Sequence, residues 1–385
     1  MEEMTKSTLV GDCNDAEDRF KEAFKYYKRR KPPPDMKDIL QVGDDCKGVV
    51  QIPGLTLCNT EENEVEALGL IPFKLWKIWT FSSHPGLVII QNPFTREGQM
   101  KWIHDCLTKY SRPPNKTNLA SHGITQCDKT WWEQSTSTEG KKTDLIKKLR
   151  WATLGYHHNW DTKEYSESNR GEMPSDLMKL CNIITKVLGY EEFRAEAAII
   201  NYYHMDSSLG PHTDHSEPNR SAPLLSFSFG QGAIFLIGGS SKETKPTALL
   251  LHSGDIMIMA GASRLAYHAV PRIIKVPEEP WKIDYCDQCF AVKYTAFYNC
   301  EESLLSDGKE KNTNNRQKEN FSCTVYKSSI LTDSNRRNCS ACKSENYIKI
   351  ELSSNLLDIL EYAKTSRINI NVRQVLLSSM KNLQF

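Results

Sequence analysis

No apolar run in this 385-residue chain approaches the ~18 residues that span a bilayer as a helix. The longest, "ALLL" and "IMIMAG", have the length of core strands. The chain also lacks a charge surplus. With 49 Lys+Arg against 48 Asp+Glu, no overall field draws it to nucleic acid, so such contacts must come from local patches. The opening "MEEMTKSTLVGDCNDAEDRF" has neither the apolar stretch of a secretory signal nor the Arg-rich, acid-poor character of a transit peptide. The twelve cysteines are therefore not read as a secreted disulfide framework. The expectation is a soluble intracellular protein with reduced thiols, in the nucleus, mitochondrion or cytoplasm. The sequons at Asn115, Asn219, Asn320 and Asn338 then carry no weight.

What is present falls into three stretches. Residues 1–85 read as an N-terminal helical extension. In it "DRFKEAFKYYKRRK", Asp18 to Lys31, places Phe20, Phe24 and Tyr27 on one helical face, and Pro32 to Pro34 stop it. Its basic end, Lys28 to Lys31, reads first as a solvated terminus that complements the helix dipole, and secondly as a phosphate contact. Residues 86–190 read as helical and β support, with a buried strand at "LVIIQNP" and a helix over "EGQMKWIHDCLTKYS". Within this stretch Lys147, Lys148 and Arg150 adjoin Trp151, Tyr156, Trp160 and Tyr165, a mixture that can stack bases and hold phosphates but that more often belongs to a core.

From about residue 191 the texture turns to short β-rich runs divided by Gly, Pro and Asp: "AEAAIINYYH", "PLLSFSFG", "GAIFLIGG", "TALLLHSGDIMIMAG" and "RLAYHAVPR". Many short strands with turn signals predict a sandwich or jelly roll rather than an alternating α/β fold. Residues 301–345 are polar, rich in Asn, Lys and Ser, and read as an exposed, disordered insertion. A helix, "NLLDILEYAKTS", and a final strand over residues 367–377 follow. The fold class expected is mixed α+β: a double-stranded β-helix core in residues 191–385, with the helical extension and a lid.

The stretch "LGPHTDHSE" contains two His-x-acid pairs, His212 with Asp214 and His215 with Glu217. Residues two apart on a strand face one way, so either pair could aim an imidazole and a carboxylate into one space. Two histidines and a carboxylate on one octahedral face bind non-haem Fe(II) and leave positions open for substrate and O₂. His252 and His268 are candidates for the second histidine. Spacing alone does not choose among them.

The ordered set "NYYHMDSSLGPHTD", "LLSFSFGQGAIFLIGG", "HSGDIMIMAGASRLAYHAVPR" and "RINI NVR" resembles the AlkB family of Fe(II)/2-oxoglutarate dioxygenases, and within it the animal AlkB homologue 1 group. The likeness extends upstream through "LRWATLGYHHNWDTKEY" and covers most of residues 85–300 and 355–377. The resemblance implies that His212, Asp214 and His268 hold the metal, that His215 and Glu217 are rim residues, and that His252 is structural. It further implies that Asn201, Tyr203, Arg367, Asn369 and Arg373 hold 2-oxoglutarate, with Arg373 on the remote carboxylate and Arg367 nearer the metal. A remote carboxylate suits the planar fork of arginine. One position departs from the pattern: Asn371 stands where the family has Thr or Ser.

The implied activity is oxidative demethylation of N-methylated bases, with Fe(II), 2-oxoglutarate and O₂ required. The implied partner is nucleic acid, with N1-methyladenine in tRNA first and N6-methyladenine in DNA second. On this reading Trp151, Tyr156 and Trp160 become stacking candidates in a nucleotide lid, and Arg272 braces the metal site or a phosphate. A histone or other protein demethylase, and a non-catalytic reader of methylated RNA, are the competing readings. Cys286, Cys289, Cys339 and Cys342 form two Cys-x-x-Cys pairs able in principle to bind structural zinc, which the resemblance does not call for.

Overall fold

The computed structural model describes residues 17–43, 48–54, 59–124, 128–282, 292–293, 347–348 and 354–383. The insertion at residues 301–345 and the four paired cysteines lie outside them.

The strands are β1 (Val49–Ile52), β2 (Lys77–Phe81), β3 (Leu87–Gln91), β4 (Lys116–Thr117), β5 (Trp151–Gly155), β6 (Ala197–His204), β7 (Leu209–His212), β8 (Leu224–Gly230), β9 (Gly232–Ile237), β10 (Thr247–Leu251), β11 (Ile256–Met259), β12 (His268–Ile274), β13 (Val292–Lys293), β14 (Tyr347–Ile348) and β15 (Ser366–Arg373). Among the described residues they form a large sheet, ordered β1-β2-β3-β11-β8-β15-β6-β5-β4, a four-stranded sheet, β10-β9-β12-β7, and a small β13-β14 ribbon. Pairing within the two main sheets is antiparallel. The fold is the expected mixed α+β jelly roll.

Alternation along the strands explains the layering. In β8, "LLSFSFG", Leu225, Phe227 and Phe229 join the core between the large sheet and its covering helices, Arg96–Thr108, Ser175–Val187 and Ser354–Thr365. Leu224 and Ser226 face the other way, toward the four-stranded sheet. A second apolar layer between the sheets holds Leu224, Phe235, Leu251, Met257 and Val270. The outer face of the small sheet is covered by the helix Arg19–Lys28, whose Phe20 and Tyr27 pack with Ile234, Leu236 and Ala269. Strands buried on both faces are the reason their sequences read as continuous apolar runs.

Three expectations about elements are corrected. The first helix is shorter than its pattern: Asp18 caps it by accepting from Lys21 N, and it ends at Lys28. Residues 1–85 are not only helical, because β1 and β2 add to the edge of the large sheet, where "KIWTF" alternates Ile78 and Phe81 to opposite cores. The last strand stops at Arg373, since the amides of Val375 and Leu376 both donate to Glu196 Oε2 and so leave the ladder.

Candidate metal centre and its cavity

Between the two sheets lies a cavity of about 290 Å³. β7 and β12 bring the histidines together, because their antiparallel register sets His212 opposite His268. The two rings lie with centroids 4.2 Å apart. Asp214 follows two residues after the end of β7, and its Oδ2 is 3.7 Å from His268 Nε2. Ligand atoms of His212, Asp214 and His268 all fall within 4.8 Å of one another, as one metal ion requires. His215 is exposed on the rim, as expected. His252 lies in the turn after β10, half exposed, its amide donating to Asp255 Oδ2.

The donors suit a divalent cation. Nδ1 of His268 hydrogen-bonds Ala266 O at 3.0 Å, and Nδ1 of His212 hydrogen-bonds Gly210 O at 2.9 Å. An imidazole donating from Nδ1 to a carbonyl presents its Nε2 lone pair to the metal. Burial and the neighbouring His212 lower the pKa of His268 to about 4, which keeps that ring neutral. Burial alone would raise the pKa of Asp214, but the Arg373 guanidinium and the two imidazoles more than offset it and hold the carboxylate ionised.

The cosubstrate residues share a second wall. β15 pairs with β6, so Arg367 faces Tyr203 and Asn369 faces Asn201. Arg367, Asn369, Asn371 and Arg373 all line the cavity, as their common strand face predicts. The order of the two arginines is the reverse of the expectation. Arg373 is at the metal end, its Nη2 donating to Asp214 Oδ2 at 2.9 Å. Arg367 is at the far end, donating to Ser228 Oγ at 2.7 Å and Gln231 O at 3.2 Å. The reason is strand direction: β15 runs toward the end of the barrel where β7 delivers Asp214.

Asn371, the departure from the family pattern, donates from Nδ2 to Asn369 Oδ1. Asn369 in turn donates to Ser226 Oγ and Phe227 O. The extra amide thus locks its neighbour. At the far end Arg367 Nε and Tyr203 Oη are buried with no hydrogen-bond partner among the described residues.

Glu217 was expected on the rim and is instead 2 % exposed. It accepts from Arg264 Nη2 at 2.9 Å and from Tyr165 Oη at 2.9 Å, and lies 3.2 Å from Arg373 Nε. Arg264, which the sequence did not single out, also donates to the main-chain oxygens of Asp214 and Ala222. Its only visible signal was an arginine amid the apolar "GASRLAY". Arg272 is not at the metal; its Nη1 donates to Arg29 O on the outer face of the small sheet.

The aromatic candidates separate. Trp160 is 47 % exposed and lines the cavity, 5.4 Å from the ring of Trp151 and 4.7 Å from that of His158. Tyr156 is 1 % exposed, hydrogen-bonded to Glu167 and covered by Arg170, so it cannot stack on a base. Its side chain faces a small core with Tyr165, Val375 and Leu376. His158, also unanticipated, lines the cavity with Nδ1 buried and unpartnered.

Residues 86–373 match the pattern of a protein family described as the 2OG-Fe(II) oxygenase superfamily. The chain is similar to human "Nucleic acid dioxygenase ALKBH1", 41 % identical over 278 residues, covering 68 % of this chain and 72 % of that one. It is also similar to "tRNA demethylase abh1" of Schizosaccharomyces pombe, 36 % identical over 216 residues, with 51 % and 72 % covered. A third relative is "DNA N(6)-methyladenine demethylase ALKBH1A" of Arabidopsis thaliana, 34 % identical over 227 residues, with 51 % and 66 % covered.

Proposed function

The chain belongs to the 2OG-Fe(II) oxygenase superfamily, and from that premise we propose that it oxidatively demethylates N-methylated bases in nucleic acid, with N1-methyladenine in tRNA as first substrate and N6-methyladenine in DNA as second. The observation that carries this reading is the convergence of His212, Asp214 and His268 on one cavity that Arg367 and Arg373 also line. Fe(II) with 2-oxoglutarate and O₂ supplies the oxidation of the N-methyl group, after which formaldehyde is lost.

The residues of this chain bind and orient. His212 and His268 offer Nε2 donors, and Asp214 a carboxylate. Arg373 steadies Asp214 and faces whatever anionic group approaches the metal. Arg367 and Tyr203 present two unpartnered buried donors at the far end. Buried polar groups without partners are rare and costly, and a second carboxylate satisfies both. Asn201 and Asn369 lie between the two ends. Two carboxylates set apart by a short chain, one beside a metal and one in an arginine pocket, describe a 2-oxo diacid.

Trp160 lines the cavity at its exposed side and Trp151 packs against it, and there an unstacked base can lie on a ring face. The names of the relatives, which include a tRNA demethylase and a DNA demethylase, support nucleic acid as the substrate class. The test is to incubate the full chain with Fe(II), 2-oxoglutarate and tRNA, DNA or histone peptide carrying the methyl group, and to follow formaldehyde. Release from tRNA that exceeds release from DNA supports the ranking. Tight tRNA binding without release from any of them favours a non-catalytic reader and sinks the proposal.

A further inference from the structure

The segment that carries Asp214 is fastened by a carboxylate three residues downstream. Glu217 is fully occupied: Arg264 and Tyr165 donate to it, and Arg373 Nε approaches at 3.2 Å. Arg264 grips the same segment a second time through the main-chain oxygen of Asp214 at 2.6 Å. Arg373 is therefore held between two acids, Asp214 through Nη2 and Glu217 through Nε. Both side chains of the Arg264–Glu217 pair are 2 % exposed, so solvent screens this cluster little. Burial and Glu217 raise the Tyr165 hydroxyl far above its usual pKa, so it remains a donor.

Counting charges gives the cluster its meaning. Asp214 and Glu217 balance Arg264 and Arg373. A divalent cation and a doubly ionised 2-oxo diacid then enter as a neutral pair. Without the second acid, Arg373 has a single carboxylate to pair with, the one the metal needs. We propose that Glu217 is a positioning residue which draws Arg373 partly away from Asp214 and holds the local charge balance, so that the metal and the anionic cosubstrate can both bind. The inference rests on the function proposed above and concerns a residue that lines the cavity without belonging to the metal-ligand set.

The two ligands report the charge with opposite sign, and a purely structural role would not do this. The test uses the full chain, Mn(II) as the metal probe, and N-oxalylglycine as an unreactive diacid, with each affinity measured by calorimetry and the unfolding midpoint recorded for every variant. Glu217→Gln should weaken Mn(II) binding by ~10- to 100-fold, the range for groups that support metal ligands, while N-oxalylglycine binding to the Mn(II)-saturated protein stays equal or tightens. Arg264→Met removes the opposite charge and should leave Mn(II) binding equal or tighter while weakening the diacid. Combining the two should return both affinities toward those of the unaltered chain, a coupling that independent effects would not give. Glu217→Asp, which keeps the charge, should recover most of the metal affinity.

Parallel weakening of both ligands in the two single variants would make Glu217 and Arg264 structural only and overturn the proposal, as would unchanged Mn(II) binding in Glu217→Gln. If Glu217→Gln does not fold, Arg264→Met and Glu217→Asp still decide. Failure of the unaltered chain to bind Mn(II) is a different result, which removes the functional reading and this inference with it.

Discussion

The two ends of β15 differ in how far their charges are met. At Arg373 two acids are already in place, and the guanidinium is stabilised well beyond its ordinary state, with burial opposed by Asp214, Tyr165 and Glu217. At Arg367 no carboxylate among the described residues is near enough to pair, burial lowers the pKa to about 10, and Nε and the adjacent Tyr203 hydroxyl find no hydrogen-bond partner among them. Arg373 Nε, 3.2 Å from Glu217, likewise makes no hydrogen bond among the described residues, so the two ends differ in ion pairing: one is a cluster of paired charges and the other an unfilled anion pocket. A strand that serves both purposes teaches that residues of one type on one face can be structural at one end and binding at the other. Neighbouring strands decide which.

The contrast can be broken at either end. The largest effect is expected from Asp214→Ala. Formaldehyde release should fall to background and Mn(II) binding should be lost. The ligand-free chain should also lose stability, on the order of 3 kcal/mol in urea unfolding, because a partner of a buried arginine is gone. Arg367→Met should separate binding from stability. Diacid affinity should drop ~30-fold or more, as for truncation of a buried charge contact, yet the ligand-free protein should lose less than ~2 kcal/mol, since an incompletely paired buried charge is exchanged for an apolar chain of similar reach. A larger loss would mean that Arg367 is as structural as Arg373.

Addition of Mn(II) with N-oxalylglycine sharpens the same point. It should raise the unfolding midpoint of the unaltered chain by mass action and raise that of Arg367→Met much less. The mouth of the cavity gives the smallest effects. Trp160→Ala should raise KM for methylated RNA by about tenfold, within the ~1–3 kcal/mol of base stacking, and leave diacid binding alone. Tyr156→Phe should cost stability of about 1 kcal/mol and not move KM. An equal KM effect from Tyr156 would contradict its burial beneath Arg170.

Much of this is legible in the sequence alone. His212, Asp214 and His268 were identified from motif context, and the shared face of Arg367, Asn369, Asn371 and Arg373 followed from the two-residue period of a strand. The period does not say which arginine meets the metal. That depends on β15 lying antiparallel to β6 and on where β7 releases Asp214. Glu217 read as a rim residue because the family pattern put the metal on His212 and Asp214, and its burial comes from Arg264, 47 positions away in sequence. Tyr156 and Trp160, four apart in an aromatic stretch, looked equivalent. The end of β5 at Gly155 turns Tyr156 into a small core beside Glu196, while Trp160 remains at the opening.

Local chemistry is what the chain itself determines: which side chains can ligate, which carry a fork of donors, and which strands are apolar on both faces. Those properties belong to single residues and to short-range periodicity. Direction, pairing and burial are set by contacts between segments far apart in the chain, and only the assembled sheets decide them. A carboxylate becomes a ligand, a brace or a surface charge according to which cations the fold brings against it, because the energy of a buried charge depends on its neighbours in space.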